Sequence, residues 1–320
     1  MLGRLRRRPA ALLIAVLAAC IAVGLIVSES SSSAVAWHRE LHPQNAWAAC
    51  NANAHNKGPS TFTPLSDPAA AALVTPEIET RPFNAKPYTL GGQAYASTDA
   101  YVPSLQAVER FRASRTSLGQ TEVQLNPYLR YVDGRDGMHD PSTDDLIQWA
   151  AHKWGIPEDW LRAQYVEESY WNSFMLGDVT AVSSAWYPRF PTQARISPGS
   201  DVYESMGLAQ VRWKPDGSVD AGTEPLRWES AAFNIDYQAA MVRFYYDNPE
   251  GTRTEWGDSS YVPCQQWDSI GGWNSPYPWH NAEQARYIGE VQHWLAAQQW
   301  RTSSFTTWTP SSFPPGITFK

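Results

Sequence analysis

A mainly helical protein is predicted by three features of the sequence. Four stretches between residues 141 and 300 carry helical spacing of apolar residues, capping residues stand at their ends, and no clear strand pattern accompanies them. The region before them is irregular, because eight prolines between Pro43 and Pro103 break any long helix. The chain therefore divides into residues 1–36, a Pro-rich extension over 37–140, a helical domain over 141–300, and a tail over 301–320. Apolar residues make up 43% and charged residues 18% of the 320, so the chain can bury a sizeable core and is not disordered throughout.

Residues 1–36 have the pattern of an export signal. Arg4, Arg6, Arg7 and Arg8 precede an uncharged run from Ala10 to Val27, followed by serines and Ala34–Val35–Ala36. A basic start, an apolar middle and a small-x-small end define a secretory signal. The same run is long enough to serve as an uncleaved membrane anchor, and Leu17–Ala18–Ala19–Cys20 is similar to a lipidation site. All three variants expect the body outside the cytoplasm, secreted or held at a cell envelope. Formal net charge is −7, and residues 1–36 hold four arginines against Glu29, so the rest is more acidic still. No basic surplus exists to displace counterions, which excludes a nucleic-acid binder.

Two cysteines, Cys50 and Cys264, remain in the exported part. An oxidising compartment allows them one intramolecular pairing, a Cys50–Cys264 disulfide, with two buried free thiols as the alternative. No Cys-x-x-Cys spacing occurs, and no metal site and no cofactor are expected. Within 37–140 one helix is expected from Val102 to Arg115, where Leu105, Val108 and Phe111 recur at three-residue spacing. Otherwise the region reads as an ordered wrapper or a mobile stalk, without visible chemistry.

The helical domain begins where Ser142 or Thr143 can cap a first helix that carries Asp144 and Asp145 in its first turn. Leu146, Trp149, Ala150 and Trp154 share its inner face, and Gly155 ends it. Pro157, Glu158 and Asp159 start a second helix that runs to about Tyr170. Third and fourth helices are expected from Ser230 to Tyr246 and from Ala282 to Gln299. Thirteen of the 16 Trp lie between 149 and 300, in an aromatic core and in the loops between helices.

The second helix carries Glu167–Glu168. On a 3.6-residue period Trp160, Leu161, Gln164 and Glu168 share one face, while Glu167 turns about 100° away. A carboxyl on an apolar face loses hydration in its charged form, which raises its pKa toward that of a general acid.

Five segments then follow in order: Tyr165–Val166–Glu167–Glu168–Ser169, Gly207–Leu208–Ala209–Gln210–Val211, Asn234–Ile235, Gly272–Trp273–Asn274 and Tyr287–Ile288–Gly289–Glu290–Val291. In this order they resemble the soluble lytic transglycosylase family, with its Glu-Ser, Gly-Leu-Met-Gln, Asn-Ile and Ala-Tyr-Asn-x-Gly motifs. The resemblance covers roughly Asp144 to Gln299. It implies a lysozyme-like fold and an enzyme that cleaves peptidoglycan between N-acetylmuramic acid and N-acetylglucosamine. It implies Glu168 as the single catalytic acid, which then acts as base while the sugar's C6 hydroxyl closes a 1,6-anhydro ring. The substrate's acetamido oxygen serves in place of an enzyme nucleophile. Glycan strands are the expected partner.

Four departures from the family pattern bear on the site. Ala209 replaces the family's Met, Trp273 replaces a Tyr, Glu204 stands where Gly is usual, and the stretch from Ser169 to Gly207 is longer. An indole N–H donates but cannot accept, so Tyr287 or Tyr277 would take the place of the missing Tyr beside the catalytic Glu, and Tyr287 is also expected to contact substrate. Gln210 and Asn274 are the amides expected in the cleft, whereas Asn234 is expected to bond backbone inside the fold. Trp213, Trp186 and Trp273 are candidates for stacking on sugar faces. Two alternatives accompany this expectation. A lysozyme- or chitinase-type hydrolase would need a second carboxylate, from Asp178, Asp201 or Glu204, to activate water. A wall-binding protein would keep the fold without the activity.

Overall fold

The computed structural model describes residues 47, 62–78, 81–90, 92–181, 202–247, 264–314 and 317–319. In chain order its helices are α1 (Asp67–Ala71), α2 (Leu105–Ala113), α3 (Glu122–Leu125), α4 (Thr143–Trp154) and α5 (Glu158–Ser169). After these come α6 (Leu226–Glu229), α7 (Ala231–Asp247), α8 (Gln266–Asn274), α9 (Ala282–Ala297) and α10 (Ser303–Thr306). Strands are β1 (Tyr88–Leu90), β2 (Gln93–Tyr95), β3 (Leu176–Thr180), β4 (Val202–Met206), β5 (Val211–Arg212) and β6 (Ile317–Phe319). The protein is mainly helical, as its sequence predicts.

Local chemistry sets the helix ends. The Ser142 side chain accepts the Asp145 N–H at 3.2 Å while Asp145 accepts the Ser142 N–H at 2.9 Å, a reciprocal capping box. Gly155 closes α4 in the left-handed conformation. Helix α5 starts after Pro157 and stops at Tyr170, also left-handed. Asn281 caps α9 by accepting the Gln284 N–H.

Among the described residues two small sheets accompany the helices, where the sequence shows no clear strand pattern. One antiparallel sheet has the order β2-β1-β6 and joins Leu90 to Ile317, so the tail pairs with the N-terminal extension. The other has the order β3-β4-β5, with Gly177 opposite Ser205 and Ser205 opposite Arg212. β5 is two residues long and β1 finds β6 across most of the chain, so neither leaves a period-two pattern to read.

One hydrophobic core unites the helices. Leu146, Trp149 and Ala150 of α4, Leu161 and Tyr165 of α5, and Phe233 and Ile235 of α7 form its centre. Phe111 and Tyr128 enter from before residue 141, and Phe305 from after 300. Of wrapper and stalk, the described part of the extension is thus the wrapper. Buried ion pairs tie it down: Lys153 of α4 reaches Asp67 at 2.6 Å and Asp236 at 2.8 Å. Arg81 donates to the carbonyls of Tyr170 and Phe305, and Asn84 donates to Thr143 and to the Trp171 carbonyl.

Among the described residues no helix is long and apolar enough to cross a membrane; the apolar run over 10–27 lies outside them. Cys264 is disulfide-bonded, while Cys50 lies outside the described residues. Trp47, three positions before Cys50, stacks on Tyr246 with ring centres 4.3 Å apart. The Tyr246 carbonyl accepts the Cys264 N–H at 3.1 Å.

Candidate active site

The last turn of α5 separates its two glutamates as the helical period requires. Glu167 faces α9, where Oε2 accepts the Trp294 indole N–H at 2.7 Å. Glu168 lies on the wall of a cleft of about 560 Å³. It is half-buried, and Oε1 accepts a hydrogen bond from the Tyr287 hydroxyl of α9. Behind it, Gln164 Nε2 donates to the Tyr287 oxygen at 3.1 Å.

Burial dominates the electrostatics of Glu168 and pushes its carboxyl up to about 8. The Tyr287 hydroxyl and the Trp273 indole N–H oppose this by favouring the charged form, while the charges of Glu167 and Asp178 reinforce it. The carboxyl is therefore neutral at ordinary pH, yet the Tyr287 hydroxyl waits as a donor for its conjugate base. Burial and the neighbouring Glu168 raise the Tyr287 phenol well above its ordinary value, so it is a protonated donor.

The cleft is assembled from distant parts of the chain. β3, β4 and β5 contribute Gly177, Asp178, Ser205 and Arg212; the turn at Gly207–Gln210 contributes Gln210; the end of α8 contributes Trp273 and Asn274. Trp273 donates to the Ala209 carbonyl at 3.0 Å, linking α8 to that turn. Gln210 donates to Met175 O at 3.1 Å and Gly207 O at 2.8 Å. Its Oε1 lies where a β-carbon on Gly177 would stand, so a side chain at 177 would displace that amide.

A further part of the cleft lining comes from the N-terminal extension, a region in which the sequence shows no chemistry. Arg115 and Thr121 pair across a loop, and the Ser117 N–H bonds Gly217 O at 2.9 Å. Leu118, at the tip of that loop, lines the cleft with 76% of its surface exposed. Nothing in the local sequence of 115–121 signals this, because the loop gains its role only by docking on the turn at 217–222.

The structure brings Glu168, Gln210, Trp273 and Asn274 to one cleft, and Asn234 bonds backbone as expected. Two expected substrate contacts are corrected. Trp213 is not a cleft wall: it comes just after β5, and its ring lies under Arg227, 5.8 Å away. Tyr287 is buried behind Glu168 with its hydroxyl already engaged, and it acts on the carboxyl. Trp186 and Asp201 lie outside the described residues.

Of the candidate second carboxylates, Glu204 is held by Arg212 at 2.7 Å and Lys214 at 3.5 Å, which leaves it structural. Asp178 lines the cleft, accepts the Ser205 hydroxyl and lies 3.8 Å from Arg212. Asp220, missed in the sequence, is a further wall carboxylate; burial raises it to about 6 against the bond from Tyr237.

Among the described residues no cluster of His, Cys, Asp and Glu could hold a metal ion. Comparison with protein-family models, with curated proteins and with solved structures found no match.

Proposed function

We propose that the protein is an exported lytic transglycosylase of lysozyme-like fold, which cleaves peptidoglycan glycan strands with Glu168 as acid and then base. The observation that carries this reading is one neutral carboxyl on the wall of a sugar-sized cleft, with the Tyr287 hydroxyl placed to donate to its ionised form. Support for export comes from the arginine-led apolar N-terminus and from the disulfide at Cys264.

Glu168 gives its proton to the glycosidic oxygen as the bond to C1 breaks, and the electron pair leaves with that oxygen. The acetamido carbonyl of the N-acetylmuramic acid stabilises C1. The Glu168 carboxylate, held by Tyr287, then removes the proton of the C6 hydroxyl as that oxygen bonds to C1. Glu168 ends protonated and no water is consumed. One group acting in both directions works best with a pKa near the working pH. Mass spectrometry of digested sacculi tests the reading: products one water lighter than hydrolysis products are expected. Reducing-end saccharides alone would refute it.

Asp178 supports a second reading. A carboxylate on the same cleft wall could activate water for hydrolysis, for which inverting enzymes keep their carboxyl groups about 6.5–9.5 Å apart. A wall-binding protein without turnover would release no product of either kind.

A further inference from the structure

We infer that Gln164 is a positioning residue: its amide N–H fixes the Tyr287 hydroxyl as a donor to Glu168 Oε1, which leaves the acid proton on Oε2. The inference rests on Glu168 being the acid and goes beyond it by assigning the oxygen that delivers the proton.

Gln164 lies one helical turn before Glu168 on α5 and is fully buried. Its Nε2 stands 3.1 Å from the Tyr287 oxygen, and the Tyr287 hydroxyl bonds Glu168 Oε1. An amide nitrogen only donates, and a phenol carries one hydrogen. With a lone pair of the phenol oxygen taken by Gln164, that single hydrogen is directed to Glu168. Gln164 Oε1 has no hydrogen-bond partner among the described residues, so the side chain's polar function is concentrated in its nitrogen.

The direction of this chain has a chemical consequence. A hydrogen donated by Tyr287 favours the carboxylate that forms after proton transfer. Without Gln164 the phenol can turn and accept the Glu168 proton, which favours the neutral acid and keeps its proton away from the cleft. The other charges facing Glu168 are Glu167 on α5 and Asp178 on β3, while Arg286 and Glu290 of α9 act on Glu167. Substitution at 164 leaves all four in place.

The test uses Gln164→Leu and Gln164→Met in the full chain, two apolar replacements of similar size. The Glu168 titration midpoint is followed by carboxyl carbon NMR without substrate, and kcat and KM are measured on sacculi. The midpoint should rise by roughly one unit and kcat should fall roughly tenfold to a hundredfold with KM unchanged. The Tyr287→Phe background should abolish any further effect of the Gln164 variants. A midpoint that stays or falls in both variants overturns the inference; a fall means that the amide accepts from Tyr287. A rise in a protein that releases no anhydro product supports the hydrogen-bond assignment and defeats the enzymatic reading.

Discussion

Asn234 and Gly207 approach so closely that a β-carbon on Gly207 would stand 2.5 Å from the Asn234 amide nitrogen. That nitrogen donates to Met206 O at 2.9 Å and Arg227 O at 2.6 Å, and Asn234 Oδ1 accepts the Ala209 N–H at 2.7 Å. One fully buried amide on α7 thus holds both sides of the turn that presents Gln210 to the cleft.

Substitutions at either partner should be costly. Gly207 has φ +89°, which a side chain tolerates poorly, and alanine also meets the amide. Asn234→Ala strips partners from three buried backbone groups, each worth about 1–3 kcal/mol when unmet. Both variants should lose about 3 kcal/mol or more in urea unfolding. A loss below about 1 kcal/mol would show that the turn is held otherwise.

Lys153 offers a test of how the extension is fastened. Its ammonium joins Asp67 and Asp236, and Asp236 also accepts the Trp154 indole N–H at 2.7 Å and the Asp133 N–H at 3.0 Å. Lys153→Met leaves buried carboxylates without their cation, which costs about 3–5 kcal/mol. Thermal and denaturant unfolding should both report it, and an unchanged midpoint would contradict the account.

Glu168 also shapes stability against pH. Its carboxyl titrates from 4.5 unfolded to about 8 folded, so between these values the folded chain holds a proton that the unfolded chain has lost. Stability contributed by the neutral form is complete below 4.5 and declines as pH rises through about 8. Glu168→Gln should remove that decline and be the more stable protein at pH 9. Parallel curves for the two proteins from pH 4 to 9 would count against the raised pKa.

The helices were legible because their determinants are local. Ser142, Gly155, Pro157 and the spacing of Leu146, Trp149 and Ala150 lie within a few residues of what they specify, as does the separation of Glu167 from Glu168. The cleft was legible only in part. Arg212 and Leu118 reach it through strand pairing and loop docking, whose partners lie far along the chain. Trp213 was misplaced because adjacency to a motif does not reveal which way a ring turns. Gln164 showed its helical face in the sequence, but its bond to Tyr287 joins residues far apart in the chain.

Asp178 separates the two enzymatic readings. Its negative charge raises the Glu168 carboxyl, so Asp178→Asn should move the alkaline limb of activity to lower pH. If Glu168 works alone, turnover at the new optimum should stay within about tenfold of wild type. A hydrolase using Asp178 as base would lose roughly 10²–10⁴-fold. Rate measurements across pH 5 to 9 on sacculi distinguish these results.

The most direct measurement compares turnover of sacculi by the wild type, Glu168→Gln and Glu167→Gln. Glu168→Gln keeps the shape of the side chain but has no proton to give, so turnover should fall by roughly 10²–10⁴-fold while folding is retained. Glu167→Gln, facing Trp294, should change it little. Full turnover by Glu168→Gln would contradict the assignment of Glu168 as the acid.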